Sequence, residues 1–140
     1  MHTEGVFTPE TAAEARDRFE AVGPTAQTTV REIAKAMEFD RAEYDDRVTS
    51  DVIETAREVI FASLLTVHVG TREEFTEWCA DHPAFEVAEI GSENVANVAW
   101  HPAPAAETVV AATFAEKEAA AVGTLRRQAL GEVYRDLVRE

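Results

Sequence analysis

Residues 51–70 read DVIETAREVIFASLLTVHVG, and the fold turns on them. Val52, Ala56, Val59, Ile60 and Ser63 recur at the spacing that places side chains on one face of a helix. Thr49 or Ser50 can supply the oxygen that caps its first turn. Near Ala62 to Leu65 the period changes from 3.6 to 2. Leu65, Val67 and Val69 then alternate with Thr66 and His68, and Gly70 ends the run. The most apolar part of the chain is therefore a helix that passes directly into a strand.

Upstream, the signals are helical. Thr8-Pro9-Glu10 reads as a helix start, followed by Ala12, Ala15, Phe19 and Val22 and stopped by Gly23-Pro24. Val30, Ile33, Ala34 and Met37 form the apolar stripe of a second helix, and the capping box Asp40–Glu43 opens a short third one ending near Val48. Downstream, Thr71-Arg72-Glu73-Glu74 is another capping box, opening a helix with Phe75, Trp78 and Cys79 that stops at Pro83. Residues 85–90 alternate as a strand, Gly91-Ser92-Glu93-Asn94 reads as a hairpin turn, and residues 95–101 follow as its partner. Val109, Val110, Ala111 and Ala112 in succession mark a central strand over 107–114. Residues 116–139 carry Val122, Leu125, Ala129, Val133 and Leu137 on one face of a long helix. Gly123 and Gly131 inside it each cost about 1 kcal/mol against Ala, which predicts close packing on another backbone.

The order predicts an α+β fold: an N-terminal bundle of four helices, then a four-stranded, mostly antiparallel sheet. Helices on one face would include a crossover helix and the long C-terminal helix. One domain is expected over residues 1–140, with its helical part at about 8–63 and its sheet-containing part at about 64–140.

The formal charge is −14, and of 13 basic residues only Lys35 and Lys117 are lysines. Acidic residues run through nearly every segment instead of gathering in one tract. A recognition surface would concentrate them, whereas a solvent adaptation spreads them. In molar salt the Debye length falls to about 3 Å, so the self-repulsion of such a coat is screened. The composition therefore predicts a salt-rich cell and poor stability at low salt. A single cysteine rules out an intrachain disulfide and suits a reducing cytosol. The opening residues lack the basic and apolar regions of a secretory signal, and no uncharged window is long enough for a bilayer. A cytoplasmic location with no membrane contact is expected.

Four constellations could carry chemistry. The segment from Thr29 to Val48 has the length and apolar spacing of a helix-turn-helix. Against it, Glu38-Phe39 replaces the usual turn glycine. The recognition helix would also carry Asp40, Glu43, Asp45 and Asp46 against Arg41 and Arg47. Without a basic footprint phosphate affinity is missing, so nucleic acid is disfavoured though not excluded. His68, Cys79, His82 and His101 are weak candidates for a metal site, since no paired ligand spacing joins them. Cys79 with a histidine could form a nucleophilic pair, but beside Trp78 it reads better as a small core residue. Finally, Asn94, Asn97, Trp100 and His101 stand in an uncharged stretch that could line an interface or groove. Strand alternation sends Trp100 and His101 to opposite faces, so both cannot be core; the plain alternative to an interface is Trp100 in the core and His101 at the solvated strand end.

The segments GPTAQTTVREIAKAMEFD, RVTSDVIETAREVIFASLLTVHVGTREEFTEWCA, GSENVANVAWHPAP and VGTLRRQALGEVYRDL resemble a family of short haloarchaeal proteins of unknown function. The resemblance runs from about Phe7 to the end and implies cytosolic, salt-rich surroundings, with no functional residues to carry over. The expected function is a non-enzymatic protein-interaction module with no catalytic residues and no cofactor, its partner a second copy in a homodimer or another protein. The alternatives are a helix-turn-helix transcription regulator, and a small enzyme or metal-binding protein.

Overall fold

The computed structural model describes residues 1–92 and 95–139. Its strands are β1 (His2–Glu4), β2 (Val67–Thr71), β3 (Glu86–Ile90), β4 (Asn97–Ala103) and β5 (Thr108–Phe114). Its helices are α1 (Ala12–Ala21), α2 (Gly23–Ala36), α3 (Arg41–Arg47), α4 (Ser50–Ser63), α5 (Arg72–Asp81) and α6 (Glu118–Ala129). The last runs through a π-helical turn (Leu130–Tyr134) into α7 (Arg135–Val138).

The seam lies where the period changes. Thr49 caps α4 by accepting from the Val52 amide, and three residues separate the end of the helix from the start of β2. Two long-range contacts fix this crossing. The Val6 and Phe7 amides donate to the Leu64 carbonyl, and the Arg126 guanidinium donates to the Leu65 carbonyl at 3.0 and 3.1 Å. Gly5, at φ +95°, allows the approach, because any Cβ there would strike the Leu65 backbone.

The class is α+β, but the sheet has five strands, not four, in the order β1-β2-β4-β5-β3. The extra strand, β1, pairs antiparallel with β2 at the edge. The expected β3–β4 hairpin does not form. Strand β5 lies between them, pairing antiparallel with β4 and parallel with β3. Part of the turn proposed for that hairpin, Glu93 and Asn94, lies outside the described residues.

Helices cover both faces, not one. On the first face Val67, Val69, Ala99, Ala103, Val110 and Ala112 meet Phe19, Phe61, Leu65, Val122, Leu125 and Tyr134. On the second, Val98, Trp100, Val109 and Ala111 meet Phe75 of α5, with Trp78, Cys79 and Phe85 at the rim. The period-2 alternation of β4 and β5 thus feeds two cores.

Nor do the first four helices form a bundle of their own. α6 lies against β4 and β5, α4 packs on α6, α1 on α7, and α2 on α4 as an outer tier. α3 buries no residue. An autonomous bundle would need an apolar face on α3, whose sequence RAEYDDR has none. Helix starts follow local caps: Thr11, not Thr8, caps α1, and the Thr71–Glu74 box forms reciprocally. Gly123 and Gly131 have no close backbone neighbour; the nearest side chain to each is an arginine at 3.7 and 3.8 Å. Among the described residues no helix is long and apolar enough to cross a membrane.

Candidate functional site

The uncharged stretch of β4 is interior. Trp100 and His101 are both 0% exposed, so the expectation that only one could be core fails. It assumed one bare face of the sheet, and both are covered. Trp100 packs on Phe75, while the His68 ring stacks over it with centroids 5.6 Å apart. His101 points to the opposite face. Its Nδ1 lies 2.6 Å from the Thr66 carbonyl and must donate there, leaving Nε2 to accept from the Tyr134 hydroxyl at 2.6 Å. Burial is the main force pushing His101 down to about 4, so the imidazole is neutral at physiological pH. Burial likewise raises the Tyr134 phenol. Asn97 opens β4 and donates to the Ala115 carbonyl at 3.2 Å. Asn94 lies outside the described residues.

The four weak metal candidates do not meet. His68 is half-buried on the α5 face, and His101 lies across the sheet from it. His82 stacks on Trp78 at 4.0 Å, its Nδ1 donating to the Trp78 carbonyl at 2.7 Å. Cys79 packs at the rim of the second core; burial, then the Glu89 carboxylate, pushes its thiol up. A raised thiol is the opposite of an activated nucleophile. In the segment 29–48, Glu38 occupies the left-handed turn position at φ +55°. α3 is exposed almost throughout, and Asp40, Glu43, Asp45 and Asp46 outnumber Arg41 and Arg47 on and beside it.

The surface carries a feature that the sequence stripes conceal. Val30 and Ala34 of the α2 stripe are buried, but Ile33 and Met37 are 53% and 58% exposed. On α4 the buried residues are Phe61 and Ala62, while Val52 and Val59 are 44% and 56% exposed. The proposed α4 core face is therefore rotated: Phe61, not Val59, enters the interior, making edge-to-face contacts with Phe7, Phe19 and Tyr134. The helices have more apolar side chains than the core admits, and the surplus lies on two helices that pack together. The signal that could have exposed it was the width of the α4 pattern, in which Val52, Val59, Ile60, Phe61 and Ala62 cannot share one stripe.

α2 departs from the overall acidity, as α6 does with Glu118 against Arg126 and Arg127. α2 carries Arg31, Lys35 and Glu32, two basic residues against one acidic, in a chain of −14. A concavity of about 480 Å³ opens at the carboxyl ends of the parallel pair β3 and β5 and the first turn of α6. Ile90, Ala112, Phe114 and Ala121 give it mostly apolar walls, and neither histidine nor cysteine lines it. Its position is the one at which parallel strands commonly bind ligands, and Glu116 and Lys117 are the ionisable residues in its lining.

Residues 6–135 match the model of a family of unknown function (DUF5809). No curated protein and no solved structure matches the chain.

Proposed function

As the chain belongs to the DUF5809 family, whose function is unknown, we propose from its own surface that it is a non-enzymatic contact module. It pairs with a second copy of itself through the outer faces of α2 and α4. One observation carries this reading: Ile33, Met37, Val52 and Val59 stand 44–58% exposed on adjoining helices of a very acidic chain. Exposed apolar area in a soluble protein marks contact when it is grouped rather than scattered. On the α2 half of the contact two basic residues stand against one acidic, which limits like-charge repulsion there, while α4 carries Asp51, Glu54 and Glu58 against Arg57, a repulsion that molar salt screens. A twofold axis would make one self-complementary patch sufficient.

Sedimentation of the full chain in molar potassium chloride tests this. The wild type should associate with rising concentration. Each half-exposed side chain covered contributes about 1 kcal/mol, so Ile33→Asp or Val59→Asp should weaken association by roughly tenfold or more. Val87→Asp, on the exposed edge strand β3, should not. A wild type that stays monomeric at every concentration sinks the reading, and loss of association in Val87→Asp alone moves the contact to the sheet edge.

The diffuse charge supports a haloarchaeal, salt-rich cytosol as the setting. Thermal midpoints should rise between dilute and molar potassium chloride. Midpoints that stay level across that range would remove this support.

A further inference from the structure

We propose that His2, Glu4 and Glu118 form a binding site for a divalent first-row transition ion, zinc being the best fit. Among the described residues these are the one group of three or more metal-ligating side chains whose donor atoms all lie within 4.8 Å of one another. The fold explains the meeting. His2 and Glu4 are two positions apart on β1 and so share a face. They pair with Val69 and Val67, whose side chains enter the core on the α6 side of the sheet. The first turn of α6 brings Glu118 to the same side.

Both separations from His2 fit a shared ion, and the two carboxylates lie within 4.8 Å of one another. His2 Nε2 lies 3.2 Å from Glu4 Oε2 and 3.1 Å from Glu118 Oε2. A ring N–H donates along one direction and serves one carboxylate well, not two. Around zinc with bonds of about 2.0 Å, tetrahedral ligands stand about 3.3 Å apart. An octahedral ion at about 2.1 Å places neighbouring ligands about 3.0 Å apart. The observed separations fall between the two. The imidazole favours a transition ion over magnesium or calcium, which prefer all-oxygen shells. Three ligands at a part-exposed position leave room for water or for a donor from a partner. His2 and Glu4 precede the residues matched by the family, and Glu118 lies within them.

Titration calorimetry of the chelator-treated full chain with zinc chloride, then magnesium chloride, at constant ionic strength tests the site. Zinc should bind with one equivalent, and magnesium should give no comparable heat. His2→Ala and Glu118→Gln should each weaken zinc binding at least tenfold, whereas His82→Ala should bind as the wild type does. Circular dichroism of the metal-free variants should match the wild type, since the replaced side chains are part-exposed. Cobalt(II) gives a second readout, through visible bands whose position and intensity should change on His2→Ala. Zinc uptake unchanged in His2→Ala and Glu118→Gln would mean scattered surface carboxylates only, and would overturn the proposal. So would a wild type that takes up no zinc, or a loss confined to His82→Ala.

Discussion

Strands β4 and β5 and helices α2 and α4 carry similar apolar side chains and treat them in opposite ways. Val98 to His101 and Val109 to Ala112 are buried without exception, because helices close both faces of the sheet. On α2 Val30 and Ala34 are interior while Ile33 meets solvent, and on α4 Phe61 and Ala62 are interior while Val52 and Val59 meet solvent. A central strand has two sides and both are used. An outer helix has one inward side, so any apolar residue beyond that arc needs another reason to exist. The contrast separates residues that hold the fold from residues that can serve a partner.

The largest effect should come from the doubly covered strands. Trp100→Ala removes a fully buried ring and should cost about 3–5 kcal/mol of stability, read by urea unfolding. A loss below about 1 kcal/mol would mean that β4 is not the centre the contrast requires.

His101 sharpens the point through pH. The unfolded histidine titrates near 6.5 and the folded one at about 4, so in acid the unfolded chain takes up the proton first. Its contribution is complete above about pH 6.5, falls as pH drops towards about 4, and is level below that. The span corresponds to about 3 kcal/mol. His101→Leu should flatten this part of the stability–pH curve. An unchanged slope in that variant would assign the pH dependence to other groups.

A smaller effect, about 1 kcal/mol, is expected for Thr71→Ala, which opens the reciprocal cap of α5 and loosens the cover of the second core. Thermal melts at fixed salt would show it.

The smallest effect belongs to the exposed side chains of α2 and α4. Val59→Ser or Ile33→Ser should change the stability of the dilute monomer by less than about 0.5 kcal/mol. A loss comparable to that of Trp100→Ala would erase the distinction between the two regions.

Legibility followed the same division. The Thr71–Glu74 box, the period change near Leu65 and the central strand at 107–114 are local signals, and each forms where expected within a residue or two. Strand β1 was not legible, because His-Thr-Glu is short, polar and without alternation, and it becomes a strand only by pairing with β2. The β3–β5 pairing was hidden for a related reason: periodicity says which residues face together but not which strand is the neighbour. A four-residue turn signal then pointed to the nearest strand in sequence. His2, Glu4 and Glu118 were missed as a group because their meeting depends on that unseen strand. On α4 the helical period is in the sequence, but the choice between Val59 and Phe61 as the inward residue rests on a cluster of aromatic rings from distant segments.

The insertion of β5 between β3 and β4 has a consequence for synthesis. β3 emerges from the ribosome ahead of β5, the one neighbour it pairs with among the described strands. Until Thr108–Phe114 emerges, its amides and carbonyls have no native partner, and a premature hairpin with β4 is the simplest error open to the nascent chain. Closure of the sheet must therefore wait for its last-made strand, which makes β5 the gatekeeper of correct assembly.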